Sequence, residues 1–212
     1  MRLTAAVLFF TFTLFSCSDG KLEETKDPVS SVSKDSAPAN RSERPAANPY
    51  NGVDVSPMDM VYYPVDYPKL KMAHTLTTPP LARVIYSRPH LQGRHIFHEV
   101  LKYDEAWRLG ANEATELTLF KDAMVQDKKI KAGRYSLYCI PHTDTWTIAI
   151  NSNIDTWGLE PDTARDVARF IVPVVKTQNS LEYFTMIFEK KDPEALLLMA
   201  WDDVEVRLPF RF

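Results

Sequence analysis

Residues 204–212 read Val-Glu-Val-Arg-Leu-Pro-Phe-Arg-Phe, with an apolar side chain at every second position. Successive side chains of a β-strand point to opposite faces of the sheet, so this alternation predicts a strand with one buried face and one solvated face. Towards the N-terminus, residues 181–189 repeat the pattern and place Phe184, Met186 and Phe188 on one face. Further short runs of strand-forming residues lie at positions 83–86, 115–120, 128–130, 134–140, 146–150, 167–175 and 196–201.

Clusters of Gly, Pro, Asn and Asp separate these runs, which is typical of antiparallel all-β domains. The sequence therefore predicts a mainly β fold, an antiparallel β-sandwich or a jelly-roll-like barrel with one or two short helices. Pro173 lies inside its run and indicates an edge strand or a bulge, because proline cannot donate to a sheet ladder. Helical turns are predicted at residues 58–63 and 162–168, and residues 96–107 are the best candidate for a short helical segment.

The N-terminal residues have the pattern of a bacterial lipoprotein signal. Arg2 precedes an apolar run over residues 3–15 that is interrupted only by three threonines, and Leu14-Phe15-Ser16-Cys17 follows the lipobox order. The run is too short for a lasting transmembrane span. We therefore expect residues 1–16 to be a signal peptide and Cys17 to carry diacylglycerol and palmitate-like acyl chains. Ordinary secretion with a coincidental cysteine is the alternative.

Composition divides the rest of the chain into a tether and a domain. Residues 18–48 are rich in Ser, Pro, Ala, Asn and charged residues and contain no aromatic residue, a composition too polar to form a core. We expect residues 17–50 to form the lipid-bearing cysteine and a flexible tether, and residues 51–212 to form one globular domain. The formal net charge of −3 and the lack of a basic stripe exclude nucleic acid as an expected partner.

The most distinctive segment spans residues 86–115 and carries a family resemblance. It contains Ser-Arg-Pro at 87–89, Gly-Arg-x-Ile-Phe at 93–97 and Trp-Arg-x-Gly-Ala-Asn-Glu-Ala-Thr at 107–115, and Ala-Gly-x-Tyr-Ser-Leu follows at 132–137. These motifs resemble the signature of a bacterial family catalogued as domain of unknown function 2911, many of whose members begin with a signal peptide or lipobox. The resemblance covers roughly residues 56–212. It implies no known reaction, substrate or cofactor.

The same segment supplies the candidate ligand-binding residues. Arginine pairs bidentately with carboxylates or phosphates, and tryptophan offers a flat face to a sugar. The candidates are Arg88, Arg94, Trp107, Arg108, Asn112 and Glu113. We expect the three arginines, Asn112 and Glu113 to converge in one polar cluster. The alternative is a structural loop fastened by Arg–Glu pairs.

Other chemistry is less well supported by the sequence. His90, His95 and His98 lie in one short window beside Glu99, but their spacing matches no metal motif, so they are weak candidates and no metal or cofactor is expected. Cys139 lies in a strand-like run and is interpreted as a small buried hydrophobe. Ser87 and Ser136 lack the glycine-flanked turn of a serine nucleophile.

These features favour a membrane-anchored envelope lipoprotein that binds an anionic or carbohydrate-like ligand and is not an enzyme. The expected location is the cell envelope of a Gram-negative bacterium, anchored through the lipid on Cys17, on the periplasmic or surface face of the outer membrane. An envelope hydrolase acting on glycans is the first alternative. A structural or assembly partner of envelope proteins is the second.

Lipidation of Cys17 is tested directly by intact mass. The mature chain extracted from membranes in detergent is expected to begin at Cys17 and to carry a lipid adduct, because two or three acyl chains hold a protein on a bilayer far more firmly than one. The Cys17→Ala variant should lack the adduct. A mature wild-type chain that begins elsewhere or carries no lipid would contradict the assignment.

Overall fold

The computed structural model describes residues 54–212, which form two antiparallel sheets packed face to face. The predicted signal peptide, Cys17 and the tether lie outside the described residues. The six-stranded sheet consists, in spatial order, of β1 (Met58–Tyr63), β2 (Ala82–Ser87), β3 (Thr115–Leu119), β6 (Gly133–Pro141), β7 (Thr145–Asn151) and β8 (Asp166–Pro173). The four-stranded sheet consists of β5 (Lys128–Ile130), β4 (Ala123–Val125), β10 (Glu194–Arg211) and β9 (Val175–Lys191).

The predicted mainly β fold is confirmed as a sandwich of two open sheets. Each sequence run with strand character lies in a strand, and Pro173 ends β8 at the edge of the six-stranded sheet, as predicted. In the described part of the chain, helical structure is confined to α1 (Tyr67–Met72), a π-helix (Ile96–Val100) and a 3₁₀ turn (Thr163–Arg165). Between residues 54 and 212, no helix is long and apolar enough to cross a bilayer.

Two helix predictions need correction. The turn predicted at residues 58–63 is wrong, because this segment is β1 and pairs in continuous register with β2 from Met58 opposite Ser87 to Tyr63 opposite Ala82. The pairing satisfies the backbone groups of β2 at the sheet edge, a long-range effect that a local cap signal does not reveal. In the segment 96–107, only the π-helix at Ile96–Val100 is helical. The sequence did not predict α1, because six residues are too few to show a helical period.

The core lies between the sheets and is lined by the inward residues of each strand. Val84, Leu117 and Leu137 of the six-stranded sheet face Met199 and Val206 of β10, and all five are essentially inaccessible to solvent. Cys139 belongs to this core, and burial raises the pKa of its thiol well above the ordinary value. This burial agrees with the interpretation of Cys139 as a small buried hydrophobe.

The end of β2 is also hydrogen-bonded to β9 across the sandwich. The hydroxyl of Tyr86 accepts a hydrogen bond of 2.8 Å from the backbone N–H of Met186, and burial raises the Tyr86 pKa to about 12. Arg88 donates from Nε to the carbonyl of Phe184 at 3.1 Å and from Nη2 to Oγ1 of Thr185 at 2.9 Å. These bonds hold the two sheets together where the signature segment begins.

Candidate functional site

The signature segment leaves β2 at Ser87 and returns at Thr115, and Trp107 anchors it in the core. The Trp107 side chain is only 8% exposed and packs with its ring centroid 4.8 Å from that of Phe184 and 5.6 Å from that of Trp201. Its backbone N–H and carbonyl pair with Cys139 at 2.7 and 2.8 Å. Its indole N–H donates to the Gly110 carbonyl at 3.0 Å. The loop after Trp107 is therefore fixed against the sandwich.

The turn that follows is packed equally closely. The Thr115 hydroxyl donates to the Leu109 carbonyl at 2.6 Å, and Leu109 is fully buried. A Cβ atom on Gly110 would lie 3.0 Å from the Ser87 carbonyl oxygen, so only glycine lets the turn approach β2 this closely.

A second loop, which joins β7 to β8, packs on the first. The Ala114 N–H donates to the Thr156 carbonyl at 3.1 Å. Gly158 has φ +78°, and a Cβ atom there would lie 2.8 Å from Cβ of Ala114 and 3.1 Å from Cβ of Arg108. This contact presents Trp157 at the surface, where its side chain is 54% exposed.

One cavity lies on the outer face of the six-stranded sheet, and we name it the sheet-face cavity. Its volume is about 360 Å³, within the usual range for ligand cavities. Its apolar lining consists of Met58, Ile85, Ile154 and Trp157. Its polar lining consists of Ser87, Glu113, Glu116, Ser136, Asp155 and Thr156.

The sheet-face cavity is negatively charged. Arg134 donates to Glu116 at 2.6 Å and to Asp155 at 2.8 Å, and the hydrogen bond from Arg134 lowers the Glu116 pKa. The Arg134 guanidinium thus donates hydrogen bonds to two of the three carboxylates that line the cavity. Glu113 has neither an ion pair nor a hydrogen bond from any side chain in the described range.

Two hydroxyls in the sheet-face cavity also lack protein partners. The side chains of Ser87 and Ser136 are buried at 3% and 9% exposure, and neither makes a side-chain hydrogen bond with a residue between 54 and 212. Their Oγ atoms are not among the fully buried polar atoms without a partner, so both are accessible from the cavity. The cavity therefore offers two hydroxyls and one carboxylate to a ligand or to water.

A second cavity lies beside the signature segment, and we name it the loop cavity. Its volume is about 390 Å³, and its lining includes Leu101, Lys102, Glu105, Trp107, Arg108 and Leu159. The Arg108 guanidinium lies over the Trp157 ring at 5.8 Å from its centroid, and burial lowers the Arg108 pKa. Lys102 and Glu105 pair with each other at 3.4 Å, so Arg108 gives this cavity a net positive charge.

The predicted site residues do not converge in one cluster. Arg88 is used in the bonds to β9 described above, and Arg94 donates to the nearby carbonyls of Leu91 at 2.7 Å and His90 at 3.1 Å. Asn112 hydrogen-bonds to Asp54. Of the six candidates, Trp107 and Arg108 line the loop cavity and Glu113 lines the sheet-face cavity.

His90 and His95 line neither cavity. The His90 ring stacks on Tyr183 with centroids 5.2 Å apart, and Nδ1 of His95 lies 3.6 Å from an Asp202 carboxylate oxygen. The side chain of His98 lies outside the described part of the chain. Among the side chains that are described, no three from His, Cys, Asp and Glu are grouped to hold a metal ion.

Sequence reasoning missed Trp157, the exposed aromatic of the site. Its signal was available, because Trp157 is the one large aromatic residue in the polar stretch 151–161 and precedes a glycine. A tryptophan in a polar loop has little core to pack against and often contacts a partner molecule.

Comparison with known proteins gives one match. A family model described as "Protein of unknown function (DUF2911)" matches residues 69–210, which is most of the described domain and includes the signature segment. The chain matches no curated protein and no solved structure.

The contact between the two loops is tested by Gly158→Ala, with Gly93→Ala as the matched control. Both glycines have positive φ, +78° and +75°, but a Cβ atom on Gly93 would meet no atom within 4 Å. Gly93→Ala should lose about 1–2 kcal/mol of unfolding free energy in urea, the cost of left-handed backbone. Gly158→Ala should lose clearly more and should shift the Trp157 fluorescence, because Ala114 and Arg108 must move. Equal losses without a spectral change would contradict the close packing of the loops.

Proposed function

The chain belongs to the family of proteins of unknown function DUF2911, and we propose that it is a lipid-anchored cell-envelope protein that binds a carbohydrate-like ligand in the sheet-face cavity. The observation that carries the proposal is the combination in one cavity of an exposed indole ring with two hydroxyls and a carboxylate that lack protein partners. The lipobox at Cys17 supports the envelope location.

The chemistry of the cavity matches a saccharide. A pyranose ring has one apolar C–H face that packs on an indole, and its hydroxyls both donate and accept hydrogen bonds. Trp157 supplies the indole, Ser87 and Ser136 donate or accept, and Glu113 accepts. Met58 and Ile85 add apolar lining that can pack on the C–H groups of the sugar.

The charge of the cavity selects against an anionic group at this position. Glu113, Glu116 and Asp155 face a ligand, and the two arginines that offset them, Arg134 and Arg83, are both paired away from Glu113. A carboxylate or phosphate placed here would be repelled by Glu113 at short range. The part of the ligand that occupies the sheet-face cavity therefore carries no negative charge.

A glycoside hydrolase is the second candidate function. Glu113 and Glu116 line the same cavity, and most glycosidases use a pair of carboxyl groups. A second arrangement of interest, in which His142 contacts Asp104 through Nδ1 and Thr147 through Nε2 at 3.2 Å, resembles the order of an acid–base–hydroxyl relay. None of these three residues lines either cavity, so the relay does not support catalysis on a ligand bound there.

Binding is tested with the domain, residues 54–212, and a panel of neutral trisaccharides, including cellotriose, tri-N-acetylchitotriose and fully methyl-esterified trigalacturonic acid. At least one should bind by calorimetry and change the tryptophan fluorescence. Trp157→Ala should weaken that binding at least about tenfold, because a stacked aromatic anchor contributes roughly 1.4 kcal/mol or more. Ile171→Ala, an exposed apolar position outside both cavities, is the control and should bind as the wild type does.

Binding of no trisaccharide, or equal binding by Trp157→Ala, would refute the proposal. Chromatography of the bound saccharide after long incubation separates the two candidate functions. An intact trisaccharide supports a binding protein, and a shortened one supports the hydrolase.

A further inference from the structure

Arg108 differs from the other arginines of the domain in its bonding. Every other arginine between residues 54 and 212 donates at least one hydrogen bond to a side chain or to a backbone carbonyl. Arg108 makes none within the same range, and its described interaction is the contact with the Trp157 ring. A guanidinium carries five N–H donors, so a partly buried one without acceptors is costly unless a ligand or water supplies them.

The nitrogens of Arg108 differ in accessibility. Nε is fully buried and has no hydrogen-bond partner. The two Nη atoms also lack partners but are not among the fully buried polar atoms, so a ligand can reach them. An acceptor with two oxygens fits the pair of Nη groups, since guanidinium and carboxylate form two parallel hydrogen bonds.

Arg108 lies close to the sheet-face cavity. The two cavities adjoin between the two loops, where a space of about 10 Å³, room for one water molecule, is lined both by Ser136, Ala114 and Thr156 of the sheet-face cavity and by Arg108 and Gly158 of the loop cavity. A ligand therefore reaches Arg108 along the exposed ring of Trp157 and not through this space. The Arg108 guanidinium also lies over the ring of Trp157, which lines the sheet-face cavity. One molecule that rests on Trp157 can therefore place a substituent at Arg108.

The two cavities have opposite charge, and this difference determines the orientation in which such a ligand binds. The sheet-face cavity carries the unpaired carboxylate of Glu113, whereas the loop cavity carries the unpaired guanidinium of Arg108. A ligand with hydroxyls at one end and an acidic group at the other complements both.

We propose that Arg108 binds the carboxylate of an acidic saccharide, so that the ligand class of this site is a uronic-acid-type sugar chain. This inference rests on the proposed carbohydrate-binding function and adds the charged group that the ligand must carry. The ring lies on Trp157 in the sheet-face cavity, and the carboxylate of that same sugar unit points out of this cavity and accepts from the two Nη groups. Arg108 thus serves as the specificity residue, and its contact with Trp157 holds the guanidinium in position.

The matched probes are trigalacturonic acid and its fully methyl-esterified form, which differ in charge but keep the same sugar units. The wild-type domain should bind the acid about tenfold to a hundredfold more tightly than the ester at low ionic strength, the range typical of a hydrogen-bonded charge pair. The preference should decrease as salt is added, because exposed charge pairs are screened. In Arg108→Gln, the acid and the ester should bind with equal affinity.

Two further variants separate a binding role from a structural role. Arg94→Gln removes the same charge from the same segment at a position outside both cavities, and it should keep the full preference for the acid. Arg108→Lys keeps the charge but loses the planar pair of donors, so it should retain only part of the preference. The ester should bind Arg108→Gln as it binds the wild type, which shows that Trp157 is still correctly placed.

The outcomes distinguish this inference from the proposed function. Equal binding of acid and ester by the wild type overturns the role of Arg108 and leaves carbohydrate binding intact. A preference for the acid that persists in Arg108→Gln also overturns it. Binding of neither probe, together with failure of the neutral trisaccharides, overturns both.

Discussion

Burial of the Trp107 indole between the sheets is the interaction on which the candidate site depends. The ring packs on Phe184 and Trp201 of the four-stranded sheet and meets Trp146 of the six-stranded sheet at 5.9 Å between centroids. Aromatic side chains contribute more to a core than other residues because they bury large areas. Because Trp107 belongs to a loop and not to a strand, the free energy gained by burying its ring stabilises the position of that loop. Arg108, the next residue, is thereby held at the surface in one position.

The second loop is positioned by the first. Ala114 lies within contact distance of Gly158, and the main-chain bond from Ala114 to Thr156 aligns the two loops. The Arg108 guanidinium then lies over the Trp157 ring, between two cavities of opposite charge. A site assembled from loops on a rigid sandwich is a common arrangement, since loops tolerate the unpaired polar groups that ligands need.

All strands except β1 and β4 were predictable from the sequence, and most of the site was not, for a physical reason. The alternation in residues 204–212 reports a local property, namely which side of a strand is buried. The acceptors of Arg88 are a main-chain carbonyl and a hydroxyl on β9, about a hundred positions away, and no local pattern indicates them. The sequence therefore grouped Arg88 and Arg94 with Arg108 as candidate ligand-binding residues, although the first two donate their hydrogen bonds to acceptors within the protein. It also assigned the exposed aromatic role to Trp107, whereas Trp107 is buried and Trp157 of the other loop is exposed.

The central claim is that Trp157 forms the ligand-binding surface while the remaining tryptophans belong to the core. Two-dimensional ¹H–¹⁵N spectra of the four indole N–H groups during titration with trigalacturonic acid test it most directly, with Trp157→Phe identifying its signal. The indole N–H groups of Trp107 and Trp201 are bonded to the carbonyls of Gly110 and Glu182, and that of Trp146 is fully buried. The account predicts that the Trp157 signal moves with saturation while the other three stay in place. A larger shift at Trp107, Trp146 or Trp201, or no shift at any of the four, would contradict it.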